Sequence, residues 1–320
     1  MIKIECDMKK IRSIHSIYVE EFLFPKYFSL YKTQSEQIKD YLNNLLGNKD
    51  EVILEHLKGL CVDTDLEQII CKEKYIRGKI FGKTMKDKQS YKDLKKIWDM
   101  ILDYEGFNRG ISKGAKYSVS WNRHLFVEMT NIKVCPYCNR NYITSYVEDD
   151  KDNRIHTTAS IDHYYPKAIY PILQLNVFNM IPSCTVCNSY TKGIKDLKHL
   201  NPYFDKGSIS FKMKLNSVES LYSSNCNICI VAGNDKKSRV SVEVFKLNKI
   251  YETHNSILNE IKEKVMDYEN FKENYYEKLL GEIDIGIDNI YKNWFDFLFK
   301  EEKDEPLVKL KKDIYNQIIG

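Results

Sequence analysis

The apolar positions divide the chain into a helical first part, a mixed middle and a helical last part. Between residues 33 and 105, apolar residues recur three and four positions apart, which predicts amphipathic helices. Gly47 is predicted to end one of these helices, because glycine commonly caps a helix C-terminus. The two stripes are Ile38, Tyr41, Leu42, Leu45, Leu46 and Leu94, Ile97, Trp98, Ile101, Leu102. Two interpretations of this region stay open: a scaffold packed on the rest of the chain, or a docking surface.

The middle of the chain has the composition of short strands. β-branched and aromatic residues cluster at 142–147 and at 155–161, on either side of the polar segment 148–154, which predicts a β-hairpin. Two cysteine pairs and a short predicted helix near Asn188 follow. The last third returns to helical spacing until Pro306 interrupts it, with stripes at Ile250, Tyr251, Ile257, Leu258, Ile261, Val265 and at Ile290, Trp294, Phe297, Leu298.

We therefore expect an α+β fold in three parts. Residues 1–115 form a helical N-terminal region, 116–210 a small mixed core, and 211–320 a mainly helical C-terminal region. The 49 basic against 45 acidic residues give a net charge of +4, which permits a nucleic-acid partner without indicating one. No apolar run approaches the roughly 18 residues of a membrane-spanning helix, and the N-terminus lacks a signal-peptide core. We expect a cytoplasmic protein with no membrane partner.

Nine cysteines in a reducing compartment are better interpreted as metal ligands than as disulfides. Cys135 and Cys138 form one CxxC pair and Cys184 and Cys187 another, a spacing at which four thiolates can surround one Zn²⁺ ion. Such a site has no open position for water, so this zinc would be structural. The third pair, Cys226 and Cys229, lies in a strand-like stretch and is predicted to pack in the core, with a second metal site as the alternative.

The 45 residues between the two CxxC pairs carry the candidate chemistry. Asp162 offers hard oxygen ligands to Mg²⁺ or Mn²⁺, and the adjacent His163 can accept a proton from water near neutral pH. Asn179 precedes the second cysteine pair, and Asn188 follows that pair directly. The zinc turn would fix the amide oxygen of Asn188 in position, as a second ligand for the metal ion that Asp162 binds. The alternative for the Asp-His pair alone is a hydrogen-bonded turn.

This sequence resembles the HNH nuclease family, whose core is a ββα-metal fold, and in particular its zinc-bound His-Asn-Asn form. The resemblance rests on an Asp-His pair, an asparagine, and a CxxCN motif followed by a lysine. The motifs cover residues 131–200. The resemblance implies that His163 is the general base, that Asn179 steadies the loop orienting it, and that Asp162 and Asn188 bind the catalytic Mg²⁺ or Mn²⁺. Asn188 stands where the family often has histidine. The implied activity is hydrolysis of nucleic-acid phosphodiester bonds, with DNA favoured over RNA.

Basic and aromatic side chains near these motifs could contact a nucleic acid. Phosphate contacts are predicted for Lys167 and Lys192, and are considered for Lys195 and Lys198 around the same helix; the alternative is a solvated surface lysine. Base stacking is considered for Tyr164, Tyr165 and Tyr170, whose alternative is packing around the zinc turn.

Four further segments are similar to those of HNH subunits of Septu-type anti-phage systems, including retron-linked ones. They are CPYCNRNYI, DHYYPK, NMIPSC and the opening of the C-terminal helical region, FKLNKIY. That resemblance implies an ATPase partner of the ABC/SMC-like class, docked on the terminal helical regions. Three alternatives remain: a stand-alone restriction-type HNH endonuclease, a non-catalytic zinc module that binds nucleic acid, and another metal hydrolase.

Overall fold

A bundle of helices forms the first part of the chain, as the apolar pattern predicts. The computed structural model describes residues 1–82, 88–109, 121–147, 155–214, 226–274 and 287–320. A π-helix, Val19–Leu23, joins the first two helices. The helices are α1 (Met8–Tyr18), α2 (Phe24–Tyr31), α3 (Glu36–Leu46), α4 (Asp50–Val62), α5 (Leu66–Phe81), α6 (Lys88–Leu102), α7 (Tyr104–Arg109) and α8 (Arg123–Met129).

The predicted stripes of α3 and α6 lie in the core, as the scaffold interpretation expects. Trp98 is 1% exposed, and its indole nitrogen donates a hydrogen bond to the Tyr41 hydroxyl at 3.1 Å, which joins the two stripes. Gly47 ends α3 as predicted, with φ +99°. A Cβ at this position would lie 2.7 Å from Val52 Cγ1, so both the backbone conformation and the close packing require glycine.

Three two-stranded antiparallel sheets are seen in the described chain. The predicted hairpin is confirmed over shorter strands, β1 (Ser145–Val147) paired with β2 (Ile155–Thr157), while its turn at 148–154 lies outside the described residues. The segment 155–161 does not continue as one strand. It divides after Thr157, and β3 (Ser160–His163) pairs instead with β4 (Met180–Ser183), placing Asp162 opposite Ile181.

The last part of the chain combines the third sheet with helices. β5 (Ile209–Lys214) pairs with β6 (Asn227–Ala232). Two predicted stripes are each interrupted: a 3₁₀ turn, Glu252–His254, splits the first, and the second ends in another 3₁₀ turn, Asp296–Phe299. Pro306 precedes the last helix. The helices are α9 (Lys236–Val244), α10 (Leu247–Tyr251), α11 (Asn255–Asn274), α12 (Ile287–Trp294) and α13 (Val308–Ile319).

The described chain is therefore α+β and mostly helical, with small antiparallel sheets. One buried cluster combines the N-terminal helices with the middle of the chain, and a second is built from β5, β6 and the C-terminal helices. The boundary predicted at 115 lies outside the described residues, and the three-part division remains a prediction. Among the helices in the described ranges, none is long and apolar enough to cross a bilayer.

Candidate functional site

The four cysteines of the two CxxC pairs come together in one buried cluster. Their sulfur atoms all lie within 4.8 Å of one another, and Cys138 Sγ is 3.9 Å from Cys184 Sγ. A tetrahedral zinc with Zn–S bonds of about 2.3 Å separates its sulfurs by about 3.8 Å. The cluster can therefore hold a metal ion such as zinc with all four thiolates, and such a closed site supports the fold rather than chemistry.

The backbone around the first pair forms a tight turn that aims both sulfurs inward. Asn139 has φ +51°, and its N–H donates to the Cys135 carbonyl at 2.9 Å. Asn141 Nδ2 donates to Cys184 Sγ at 3.3 Å, which stabilises negative charge on that sulfur. Hydrogen bonds from the other cysteines lower the pKa of the Cys184 thiol, whereas burial raises the pKa of Cys135 and hydrogen bonds from the other cysteines raise that of Cys187, so the four sulfurs share their protons unequally.

The C-terminal region is anchored on this turn. Leu307 N–H donates to the Asn139 carbonyl at 2.8 Å, and Asn139 Nδ2 donates to the Glu302 carbonyl at 2.9 Å. Tyr251 donates its hydroxyl proton to the Cys138 carbonyl. The cysteine cluster therefore links the middle of the chain to its last helices.

His163 ends β3 and is fixed by a backbone carbonyl. Its Nε2 lies 2.9 Å from the Gln174 carbonyl oxygen, which can only accept, so Nε2 carries the proton of the neutral ring. The lone pair is then on Nδ1, and none of the hydrogen bonds seen among the described residues involves this atom. Burial lowers the pKa of His163 to about 3, against the raising effect of the Gln174 carbonyl. His163 is therefore a neutral histidine with an available basic nitrogen at pH 7.

The Asn179 side chain hydrogen-bonds the two ends of the segment between His163 and Gln174. Its Oδ1 accepts from Tyr165 N–H at 2.7 Å, and its Nδ2 donates to the carbonyls of Tyr165 and Leu173 at 3.1 and 3.0 Å. The side chain is fully buried. It thus ties the chain just after His163 to the loop just before Gln174.

The N-terminal helices fix the same loop from the other side. Gln174 Nε2 donates to the Trp98 carbonyl at 3.0 Å, and His15 Nε2 lies 2.8 Å from the Leu175 carbonyl. Trp121 Nε1 donates to His15 Nδ1 at 2.8 Å, which fixes the tautomer of that ring. The helical region is therefore part of the support of the candidate site.

Asp162 is buried in an ion pair with Lys192. Lys192 Nζ lies 2.8 Å from Asp162 Oδ1 and 2.6 Å from the His163 carbonyl, and the Tyr137 hydroxyl donates to Asp162 Oδ2 at 2.7 Å. Asp162 and Lys192 are each 1% exposed. Burial raises the pKa of Asp162, while the Lys192 charge opposes that shift. Lys192 is thus inside the protein rather than at the surface position that its phosphate contact would need.

Asn188 lies in a short π-helix, Val186–Lys192, near the predicted helix start. It is half-buried, and its Nδ2 donates to the Ile161 carbonyl at 3.4 Å, one residue before Asp162. β3, β4 and this helix therefore bring His163, Asp162 and Asn188 into one small unit beside the cysteine cluster.

Tyr104 covers the His163 ring. The two ring centroids are 4.7 Å apart in an edge-on arrangement, and Lys167 Nζ lies 4.1 Å from the Tyr104 centroid. Lys167 is half-exposed and also pairs with Glu105 at 3.2 Å. Lys167 is therefore accessible to a phosphate, whereas His163 is only 6% exposed and the Tyr104 ring that packs on it is itself buried.

The remaining predicted contacts divide between core and surface. Tyr164 is buried and donates to the His199 carbonyl at 2.7 Å, whereas Tyr165 and Tyr170 are half-buried and donate to Glu67 and Asp196. Lys195 and Lys198 are exposed. Cys226 is buried in the second core cluster, and no metal-binding group of the described residues includes it.

Sequence reasoning missed three residues that shape the site. Gln174 acts through a backbone carbonyl, which has no side-chain signature. Tyr104 is distant in sequence. Tyr137 had an available signal, because it lies inside the first CxxC pair and so must be close to whatever packs on the zinc turn.

Comparison with known proteins gives one informative similarity. The chain is 32% identical over 127 residues to the Septu protein PtuB of Bacillus thuringiensis. The chain resembles a Septu protein. The matching stretch is 39% of this chain and 40% of the relative, so the chain spans well under two thirds of that protein. No family model matches the chain, and no solved structure matches it.

Proposed function

We propose that this chain is a metal-dependent HNH-type endonuclease that acts in anti-phage defence. The observation that carries the chemical part is His163, a buried neutral histidine whose Nε2 is fixed by the Gln174 carbonyl and whose Nδ1 is available. A neutral imidazole held in one orientation can take the proton of an attacking water. The defence role rests on the similarity to the Septu protein PtuB.

In the proposed reaction, Nδ1 of His163 accepts the proton of the water that attacks phosphorus. Its low pKa makes it a weak base, so the reaction also needs a group that acidifies that water. A bound Mg²⁺ or Mn²⁺ ion supplies this, together with charge compensation for the transition state and the departing oxygen. Asn179 and Gln174 keep the imidazole aligned throughout.

The proposed metal ligands are Asp162 and Asn188, whose oxygen atoms are of the type that these hard cations prefer. Both Asp162 oxygens already accept hydrogen bonds, from Lys192 and from Tyr137. A divalent ion at Oδ1 would therefore compete with the Lys192 ammonium, which lies against that oxygen in a buried pair. The cysteine cluster is proposed to hold structural zinc.

The remaining parts of the proposal concern partners. We propose a nucleic-acid substrate, with DNA favoured, and an ABC/SMC-like ATPase that docks on the terminal helical regions. The hydrogen bonds that join His15 and the Trp98 carbonyl, both in N-terminal helices, to the loop of the site offer a route by which docking on those helices could affect His163.

The test is cleavage of plasmid DNA, single-stranded DNA and total RNA with Mg²⁺ or Mn²⁺, with and without an added ATPase of the proposed ABC/SMC-like class. We expect His163→Ala to abolish cleavage and His156→Ala, a half-buried histidine on the neighbouring β2, to retain it. Equal cleavage by the wild type and His163→Ala would refute the mechanism. No cleavage by any sample, with zinc bound and the fold intact, would favour the non-catalytic binding module.

A further inference from the structure

The burial of Lys192 is unusual for a lysine. Its side chain is 1% exposed, at the end of the π-helix that follows the second cysteine pair. Burying an ammonium group is costly unless a countercharge and hydrogen-bond acceptors compensate it. Asp162 Oδ1 at 2.8 Å and the His163 carbonyl at 2.6 Å supply both.

These two acceptors are also good ligands for a hard metal ion. Carboxylate and backbone carbonyl oxygens are the groups that Mg²⁺, Mn²⁺ and Ca²⁺ bind in proteins. The ammonium of Lys192 therefore occupies a cation position built from Asp162 and the backbone of His163. A divalent ion cannot bind Asp162 Oδ1 at this position while the ammonium is present.

We propose that the ammonium group of Lys192 is an exchangeable counterion of the Asp162 carboxylate. It leaves the carboxylate when a divalent metal ion binds to Asp162. The inference rests on the proposed function, which places a metal ion at Asp162. It makes the structure described here a resting state that excludes the catalytic metal.

Charge balance explains why the exchange would accompany substrate binding. The pair of Asp162 and Lys192 is neutral, whereas Asp162 with a divalent cation carries a net charge of +1. A phosphodiester carries one negative charge and restores neutrality. A buried net charge is costly, so the metal ion and the substrate should favour each other's binding.

The local chain is suited to releasing the lysine. Lys192 is the last residue of a seven-residue helix, and Gly193 follows with φ +54°. Beyond Gly193, Ile194 is 74% exposed and Lys195 is exposed. Only Gly193 separates Lys192 from this exposed segment.

The first test uses the intact wild-type protein. Lysine acetylation by acetic anhydride, read by mass spectrometry, is compared without metal and with millimolar Mn²⁺. We expect acetylation of Lys192 to rise by about tenfold with Mn²⁺, because exchange transfers the amine to solvent. Lys198, with 70% of its side chain exposed, is the matched control and should react equally in both samples.

The second test uses Mn²⁺ affinity, measured by calorimetry with zinc in place. Lys192→Gln should lower the Kd for Mn²⁺ by about tenfold, since no ammonium must leave. Lys192→Arg should not, because its charge remains, and Lys192→Gln combined with Asp162→Asn should lose the gain. Acetylation needs no variant, so the inference stays testable if Lys192→Gln does not fold.

Two results would overturn the inference. One is a Lys192 that stays protected at Mn²⁺ concentrations that saturate the protein, and the other is a folded Lys192→Gln variant with unchanged Mn²⁺ affinity. Either result would make the ion pair a permanent structural contact. Nuclease activity that persists alongside these results would leave the proposed function standing and refute only the exchange.

Discussion

Replacing Asn179 by alanine should separate its positioning of His163 from its contribution to stability. The side chain is fully buried and makes three hydrogen bonds, to Tyr165 N–H, the Tyr165 carbonyl and the Leu173 carbonyl. Each is worth about 0.5–1.5 kcal/mol net, so their loss should lower the free energy of unfolding by about 2–4 kcal/mol. Urea denaturation of the zinc-bound protein measures this.

The same substitution should slow cleavage well beyond any loss of folded protein. Without Asn179 the loop can move the Gln174 carbonyl, and a displacement of about 1 Å at a catalytic group can cost about a hundredfold in rate. Single-turnover cleavage, measured far below the unfolding midpoint of each variant, isolates this effect. The Km should change less than the rate constant, because Asn179 lies inside the protein, away from bound substrate.

Asn201 provides the matched control. It is also buried, and it hydrogen-bonds Tyr203 N–H at 2.9 Å and the Phe178 carbonyl at 3.4 Å, whereas the His163 ring is held by the Gln174 carbonyl. Asn201→Ala should therefore destabilise the protein without a comparable loss of cleavage rate. Equal rates for Asn179→Ala and the wild type, or equal losses for both variants, would refute the positioning argument.

Three further predictions follow from other parts of the structure. Cys184→Ser should lower the bound zinc below about one ion per chain and should also lower the unfolding midpoint, because a four-thiolate site loses one ligand. Elemental analysis measures the zinc, and an unchanged zinc content would contradict the assignment of the cluster. Burial lowers the pKa of His15 to about 4 and the pKa values of His163 and His199 to about 3, so on acidification below pH 6.5 the unfolded state holds about three more protons at these rings, and stability should fall by about 4 kcal/mol per pH unit near pH 5. Urea midpoints at pH 7 and 5.5 check the sign, and pH-independent midpoints would show that these rings are not buried as neutral groups. Tyr104→Ala should speed the modification of His163 by diethyl pyrocarbonate, whereas Tyr104→Phe, which keeps the aromatic ring, should not. Equal reactivity of His163 in both variants would mean that the Tyr104 ring does not cover this histidine.

Short-range patterns in the sequence predicted the helical stripes, the Gly47 cap and the cysteine cluster. A stripe repeats every three to four residues because a helix presents those positions on one face. A CxxC pair places two thiolates in one turn, so two pairs require only that the turns meet. The same local logic predicted the short helix near Asn188.

Only the tertiary structure decided which partners these residues have. The burial of Lys192 could not be predicted, because a lysine after a helix is usually solvated and its partner, Asp162, is 30 residues away. The Gln174 carbonyl and the Tyr104 ring reach His163 through a loop and a distant helix, and no local pattern encodes either contact. The sequence by itself determined which groups could do chemistry, whereas long-range packing decided which of them are free, paired or covered, because those contacts depend on how separate elements meet.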